Sequence, residues 1–146
     1  MTRAVAVDLD AVLGDTRPLW QAWVTDAERR YRVALDGDMD EAVLDERLGN
    51  WRALLERFAE DHAPLYLRPR PDANAALRRL HAAGVRIGAF TDSPEPLARV
   101  AASHLGVTGR LDALEAGPGA LDRLLARLGA ATLVACTLDE LLERAR

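Results

Sequence analysis

A short apolar run near the start of the chain ends on two acidic residues, and this feature constrains the fold most. Residues 4 to 9 read AVAVDL, a Val-rich run typical of a strand buried on both faces of a parallel sheet. Asp8 and Asp10 lie at its end. Two carboxylates held close together repel each other unless a cation or a shared proton relieves them, so the pair indicates a Mg²⁺ site or an acid/base couple. The structural alternative is a loop whose aspartates cap backbone amides.

Beyond this run, strand-like and helix-like patterns alternate along the chain. The expected strands after the first are residues 85 to 91, 111 to 115 and 131 to 136. The expected helices between and after them are residues 72 to 83, 94 to 105 and 119 to 128, followed by a short terminal helix. Because each crossover is long enough for parallel pairing, the sequence predicts an α/β protein with a parallel sheet.

The region between the first two expected strands has a helical pattern instead. Apolar residues recur at helical spacing from Leu19 to Leu65, and GDMD (37 to 40) and Gly49-Asn50 break the pattern into about three segments. Asn50 is a plausible N-cap for a helix over 51 to 61. The insert carries three tryptophans, which are expected to form its core, with a wall facing the substrate as the alternative: Trp20, Trp23 and Trp51.

Composition limits the classes of function. The 146 residues suffice for one domain, and no apolar run approaches the length of a membrane span. A net charge of −4 argues against a nucleic-acid partner. The N-terminus lacks a signal-peptide pattern, which favours a cytoplasmic location. All 19 basic residues are Arg, and the single cysteine, Cys136, cannot form a disulfide within the chain.

Polar side chains follow three of the expected strands. Because parallel sheets bind ligands at the carboxyl ends of their strands, these side chains are expected to converge if the strands are neighbours. They are Asp8 and Asp10 after the first strand, Thr91, Asp92 and Ser93 after the second, and Thr137, Asp139 and Glu140 after the last.

The order of these motifs resembles the haloacid dehalogenase-like hydrolases from residue 4 to about residue 141. DLDAVLGDT resembles the first motif of that family, Asp-x-Asp-Gly-Thr-Leu-x-Asp-Ser, and GAFTDS resembles the second, a strand that ends in Thr or Ser. The resemblance implies a Rossmann-like, three-layer α/β fold whose strands lie in the order 3-2-1-4. It further implies a core formed by residues 1–16 and 68–146 and a helical cap formed by residues 17–67.

The resemblance also implies a mechanism, which is that of the family's phosphatases. Asp8 would attack phosphorus and form an aspartyl-phosphate, Asp10 would act as general acid and base, and Thr91 would donate its hydroxyl to the transferring group. Mg²⁺ would be held by Asp8, by the backbone carbonyl of Asp10 and by an acid after the last strand. Asp139 is the expected acid there, with Glu140 as the alternative. The substrate would be a small phosphorylated metabolite.

Two further residues are candidates for contacts with this substrate. Arg17 stands where the resemblance places the hinge to the cap, and it could reach an anionic group; a solvated side chain is the alternative. Asp92 occupies the position after Thr91, where the family commonly has Asn or Asp, and it could instead cap the following helix. No pattern in the sequence indicates an oligomeric state.

The chain departs from the family pattern at three places. Ala11 and Val12 replace the usual Gly-Thr, and the methyl group of Ala11 is expected to hinder a turn that glycine normally makes. The lysine of the third motif is absent, with Arg110 and Arg123 the nearest arginines in sequence to its position. In the fourth motif, Cys136 stands where the Mg²⁺-binding aspartate is expected.

These departures leave two other functions open. One is a non-catalytic protein of this fold that binds a ligand or a protein partner. The other is true dehalogenation, which needs no metal, although Asp10 and the missing lysine count against it.

Overall fold

The structure, a computed structural model, describes residues 4–35 and 40–146, so residues 37 to 39 of the expected GDMD break lie outside the described residues. The four strands are β1 (Ala4–Asp8), β2 (Arg86–Thr91), β3 (Ala113–Ala116) and β4 (Thr132–Ala135). The seven helices of the described ranges are α1 (Arg17–Tyr31), α2 (Glu41–Leu48), α3 (Trp51–Tyr66), α4 (Pro71–Ala82), α5 (Glu95–His104), α6 (Ala120–Leu128) and α7 (Leu138–Arg144). A short π-helix, Leu9–Leu13, directly follows β1.

The four strands form one parallel sheet in the order β3-β2-β1-β4, which confirms the predicted topology. Asp8, the last residue of β1, pairs with Phe90, and its neighbour Val7 pairs with Ala135. The carboxyl ends of β1, β2 and β4 therefore lie side by side. This register brings the polar residues that follow these strands to one edge of the sheet.

Helices cover both faces of the sheet, which gives the expected three layers. On one face, Val5, Val7, Ile87 and Ala89 pack into a hydrophobic cluster that includes α4 and α5. On the other face, α6 packs against the alanines of β1 and β3. Gly88 permits this second contact, because a methyl group built there would lie 2.5 Å from the Leu124 Cδ1 atom. A side chain at position 88 would displace the side chain of Leu124 from its place against the sheet.

The helical segment α1–α3 packs against the same core. Its tryptophans pack against one another with tilted rings, whose centroids lie 5.3 Å apart for Trp20 and Trp23 and 6.4 Å apart for Trp23 and Trp51. All three are at most 2% exposed, and they share one hydrophobic cluster with Leu97 and Ala101 of α5. The tryptophans are thus buried, as expected, in a core that is continuous with the sheet. None of the helices in the described part of the chain is both long and apolar enough to cross a bilayer.

The indole N–H groups of two buried tryptophans have different surroundings. Trp51 Nε1 donates to Asp45 Oδ1 at 2.7 Å, whereas Trp20 Nε1 has no hydrogen-bond partner among the described residues. A buried donor without a partner costs the desolvation of that group, about 1–3 kcal/mol. Trp20 therefore contributes less to stability than its buried area alone indicates.

We predict that Trp20→Phe destabilises the protein less than Trp51→Phe does. Both changes remove a similar ring volume, but the first also removes an unpaired donor, whereas the second breaks a hydrogen bond. The free energies of unfolding, measured with urea, should differ by about 1–2 kcal/mol between the two variants. Equal losses, or a larger loss for Trp20→Phe, would contradict this account.

Candidate active site

The π-helix after β1 presents the two aspartates of the first motif. Asp8 caps this helix, since its Oδ1 atom accepts a hydrogen bond from the Ala11 N–H at 3.2 Å. Ala11 lies in the exposed turn, and among the described residues Arg32 is the only non-glycine with a positive φ. The expected hindrance at position 11 is therefore wrong, because the π-helix turns the chain without a left-handed residue there.

Gly14 ends the π-helix and allows close packing. Its N–H donates to Leu9 O at 2.9 Å, and a methyl group built on it would lie 2.7 Å from the Leu105 Cδ1 atom. Arg70 stabilises the same turn from the other side, since its Nη1 atom donates to the carbonyls of Ala11 and Val12 at 2.8 and 3.1 Å. The loop that carries Asp8 and Asp10 is thus held by contacts with Arg70, which precedes α4, and with Leu105, which follows α5.

Asp10 lies in a closed ring of hydrogen bonds between the first and second motifs. Its Oδ1 atom accepts from Thr16 N at 2.8 Å and from Thr16 Oγ1 at 2.6 Å, and its Oδ2 atom accepts from Thr91 Oγ1 at 2.6 Å. Thr91 Oγ1 accepts from Ser93 N at 3.2 Å. Ser93 Oγ lies 2.6 Å from Thr16 Oγ1, and because the single proton of Thr16 goes to Asp10, the Ser93 hydroxyl is the donor.

The ring was only partly foreseeable from sequence. Thr91 and Asp10 are sequence candidates, and the structure brings them into direct contact. Ser93 is one of the polar residues expected to converge at this edge, but the sequence indicates no contact between it and Thr16, which matches the last position of the first motif. Both are buried, as is Thr91 at 2% exposure. The proton of the Thr91 hydroxyl is directed at Asp10, so donation to a bound phosphoryl group requires that hydroxyl to turn.

A pocket of about 210 Å³ opens at this edge of the sheet. The sequence candidates Asp8, Asp10, Thr91, Asp92 and Arg17 all line it, together with Ala11, Phe90 and Ser93. None of the three tryptophans lines it, so the alternative in which they form a wall facing the substrate finds no support at this pocket.

The charges in the pocket affect the first aspartate. Partial burial raises the pKa of the Asp8 carboxyl, and the negative charges of Asp10 and Asp92 raise it further, while the Ala11 N–H opposes both effects. Asp92 is exposed. Three carboxylates and one guanidinium therefore line the pocket, which leaves its side chains with an excess of negative charge.

The acids after β4 are not placed as metal ligands. Asp139 is exposed in the first turn of α7 and does not line the pocket, within the ranges described. Glu140 Oε2 accepts from Cys136 N at 2.9 Å, and Glu140 N donates to Thr137 Oγ1 at 3.1 Å, so this pair caps α7. Partial burial and the charges of Glu140 and Asp8 raise the pKa of the Cys136 thiol, which favours its neutral form.

The residues of the site do not fit a resident Mg²⁺ ion. Mg²⁺ requires near-octahedral oxygen coordination and gives up its water reluctantly. Among residues 4–35 and 40–146, no group of three His, Cys, Asp or Glu side chains is arranged to hold a metal. Asp8 and the Asp10 carbonyl remain as possible ligands after β1, and the residue after β4 is Cys136, which is exposed and does not line the pocket.

The arginines nearest in sequence to the missing lysine are committed elsewhere. Arg123 binds Glu115 Oε1 at 3.0 Å and the carbonyls of Ala116 and Pro118, and Arg110 donates to Gly106 O at 3.4 Å. Neither lines the pocket. Arg17 does, and its Nε and Nη2 atoms donate to the two carboxylate oxygens of Asp15 at 2.8 and 2.9 Å.

Comparison with known proteins identifies relatives of this fold. The model of the haloacid dehalogenase-like hydrolases matches residues 2–136. A search of curated protein sequences finds no match. Among solved structures, CbbY from Rhodobacter sphaeroides in complex with phosphate is similar with a TM-score of 0.66 and 17% identity, covering 92% of this chain and 77% of that one.

Two further structures show the same fold. A HAD phosphatase from Thermococcus onnurineus has a TM-score of 0.59 and 20% identity, and the match covers 91% of this chain and 76% of that one. A β-phosphoglucomutase from Clostridium difficile has a TM-score of 0.59 and 16% identity, with coverage of 99% and 82%. At these identities the likeness establishes the fold.

We predict that the hydroxyl of Thr16 is required for the hydrogen-bonded ring. Thr16→Val keeps the shape of the side chain but leaves the buried Ser93 hydroxyl without its acceptor, which should lower the free energy of unfolding by about 1–3 kcal/mol. Thr16→Ser keeps the hydroxyl and loses one methyl group, so its cost should be near 1 kcal/mol or less. Urea denaturation in which both variants are equally stable would show that the ring contributes nothing.

We also predict that Asp8 destabilises the folded protein at neutral pH. Because the pKa of Asp8 is higher in the folded than in the unfolded state, protonation of this carboxyl favours the folded protein. This contribution to stability is fully present below the unfolded pKa and is lost as the pH rises through the folded pKa. Asp8→Asn, which keeps an oxygen for the Ala11 N–H, should therefore raise the free energy of unfolding at pH 7. Since Asp8 is partly exposed, the gain should be a few tenths of a kcal/mol up to about 1 kcal/mol, and it should shrink in acid.

Asp15→Asn is the matched control, and its effect on the free energy of unfolding should have the opposite sign. Arg17 lowers the pKa of Asp15, so the ionised form stabilises the fold above the unfolded pKa and the contribution is lost as the pH falls through the folded value. This variant should be less stable than wild type at pH 7 and should approach it in acid. Shifts of the same sign in both variants would contradict the electrostatic account.

Proposed function

The chain belongs to the haloacid dehalogenase-like hydrolases, and we propose that within this family it is a phosphohydrolase that acts on a small phosphate monoester. One observation carries the proposal. Asp8 and Asp10 lie on the edge of the sheet where β1 ends, and both line one small pocket together with Arg17 and Thr91. That is the arrangement that nucleophilic attack on a phosphoryl group followed by proton transfer requires.

Asp8 is the nucleophile in this proposal. Its carboxylate forms a bond to phosphorus as the bond from phosphorus to the leaving oxygen breaks, which yields an aspartyl-phosphate. The Ala11 N–H orients the carboxylate through Oδ1. Water then attacks phosphorus, releases inorganic phosphate and restores Asp8. The raised pKa of Asp8 is consistent with a carboxylate kept partly away from water, which increases its nucleophilicity.

Asp10 is the general acid and base. To act as the acid, Asp10 carries a proton on Oδ2, which requires the Thr91 hydroxyl to turn its own proton away from that oxygen. Asp10 gives this proton to the leaving oxygen in the first step and takes one from water in the second. Thr16 and Thr91 hold its two oxygens from opposite sides, so the carboxyl group is oriented before the substrate arrives. A bound phosphoryl group gives the Thr91 hydroxyl a second acceptor.

The family generally uses Mg²⁺, but residues 4–35 and 40–146 form no cluster of side chains that would hold it, and no step of the proposed reaction depends on a metal. We therefore expect the rate of phosphate release to be lower than in a phosphatase that holds a metal ion. The negative charge that develops on the phosphoryl oxygens faces three carboxylates, and within the described residues Arg17 is the only cation that lines the pocket.

The helices α1–α3 act in this proposal as a reduced cap over the core formed by residues 1–16 and 68–146. Arg17, at the start of α1, lines the pocket, which supports a role for residues 17–67 in holding the substrate. The pocket volume of about 210 Å³ suits a phosphoryl group with a compact leaving group.

A second candidate function is a binding protein that has lost catalysis. The missing lysine, the thiol of Cys136 and the absence of a metal-binding cluster in the described residues favour it. In that case the pocket would bind its ligand without forming a bond to Asp8.

We predict that the wild-type protein releases inorganic phosphate from at least one member of a panel of small phosphate monoesters, and that Asp8→Asn abolishes this release. An amide is a far poorer nucleophile than a carboxylate, so the rate should fall by at least about 10³-fold. Asp10→Asn should slow esters with poor leaving groups strongly and esters with good leaving groups less, since a good leaving group needs little protonation.

Asp26→Asn is the control for both substitutions. Asp26 is an acidic residue of α1 outside this pocket, so its replacement should leave phosphate release unchanged. A wild type that hydrolyses none of the esters, with and without added Mg²⁺, contradicts the phosphohydrolase and favours the binding protein.

A further inference from the structure

The candidate pocket lacks the positive charge that a phosphoryl group needs, and the structure offers one replacement. Its lining includes three aspartates and a single basic residue, Arg17. Arg70, which also lies near the loop, is bound to the carbonyls of Ala11 and Val12 and does not line the pocket. A dianionic ligand beside Asp8 therefore depends on the Arg17 guanidinium for neutralisation.

Arg17 keeps enough hydrogen-bond donors for this task. A guanidinium has five N–H groups, and Asp15 engages one on Nε and one on Nη2. Three N–H groups remain, two of them on Nη1. They lie on the guanidinium edges that are not paired with Asp15, and the fork geometry of Arg matches two oxygens of a phosphate.

Asp15 reduces the cost of ordering Arg17. The Arg17 side chain is 71% exposed, so without a partner it would sample many rotamers and would lose this freedom on binding. The Asp15 carboxylate accepts from the Nε, Nη2 and backbone N–H groups of Arg17, which fixes the side chain at both ends. The charges of Asp10 and Asp8 also act on Arg17 and raise its pKa, after the larger effect of Asp15.

We propose that Arg17, positioned by Asp15, binds the phosphoryl group of the substrate. Its guanidinium supplies the positive charge that the missing lysine of the third motif would otherwise provide. The inference rests on the proposed phosphohydrolase pocket and deepens it. The positive charge then comes from Arg17 in the first turn of α1, whereas the family takes it from the lysine of its third motif. Arg17 contacts the ligand, and Asp15 is a positioning residue that acts through Arg17.

The first test measures the binding of inorganic phosphate by titration calorimetry. Arg17→Met keeps most of the aliphatic stem and removes the charge, so it should weaken phosphate binding by tenfold or more, about the loss expected for one charge-assisted hydrogen-bonded pair. Asp15→Asn should weaken binding severalfold. If Asp15 acts only through Arg17, adding Asp15→Asn to Arg17→Met should have no further effect.

Two substitutions on the same helix provide matched controls. Arg30 and Asp26 of α1 form an ion pair in which Asp26 is half-buried, with Arg30 Nε 3.5 Å from Asp26 Oδ2, and neither residue lines this pocket. Arg30→Met and Asp26→Asn should leave phosphate affinity within twofold of wild type. Asp92→Asn provides a control of opposite sign, since it removes a negative charge from the pocket lining and should strengthen phosphate binding.

The outcomes separate this inference from the proposed function. Phosphate affinity that is unchanged in Arg17→Met overturns the role of Arg17, even where the wild type hydrolyses esters and the phosphohydrolase stands. Affinity that depends on Arg17 in a wild type without turnover supports Arg17 and overturns the hydrolase. A wild type that neither binds phosphate nor releases it overturns both. An effect of Asp15→Asn that persists fully in the Arg17→Met background overturns the positioning role of Asp15.

Discussion

The structure of the site depends on the ring of hydrogen bonds around Asp10. The ring joins the loop after β1 to the start of α5 through Thr16, Ser93 and Thr91. Each member is buried or half-buried, so a broken link would leave an unpaired polar group in the interior. Because Thr16 also precedes α1, the same ring fixes where the helical segment leaves the sheet, and with it the position of Arg17.

The excess of negative charge in the pocket is the second constraint, and it distinguishes this site from an active site that holds a metal ion. Asp8, Asp10 and Asp92 converge on the pocket because the strands that carry them are neighbours in a parallel sheet. Partial burial raises the pKa of Asp8, and the repulsion from Asp10 and Asp92 raises it further, so the ionised pocket carries a cost to stability. At β4, a capped helix and a neutral thiol stand where a further carboxylate would help to hold a cation. Arg17, which is paired with Asp15, is the one cation among the described residues that line the pocket.

The resemblance to the haloacid dehalogenase-like hydrolases predicted the sheet order and the position of Arg17. The sequence predicted the gathering of Asp8, Asp10, Thr91 and Asp92 at one edge, because hydrophobic periodicity locates the strands and parallel strands present their carboxyl ends together. It predicted a hindered turn at Ala11, which the π-helix avoids. The expected metal role of Asp139 stays a prediction without structural support, since that side chain is exposed outside the pocket. Motif spacing alone does not show which side chains cap a helix and which face a ligand.

The sequence by itself therefore determined the α/β architecture, since this follows from the hydrophobic periodicity that any compact folding of the chain must satisfy. The family and the candidate nucleophile came from the resemblance of the first two motifs to the haloacid dehalogenase-like hydrolases. Tertiary structure alone decided the partners of Asp10 and the engagement of Arg110 and Arg123 away from the pocket. Thr16 and Ser93 are 77 positions apart, and their contact exists only once β1 and β2 pair in register. Side-chain contacts of this kind depend on distances across the fold, which sequence periodicity does not encode.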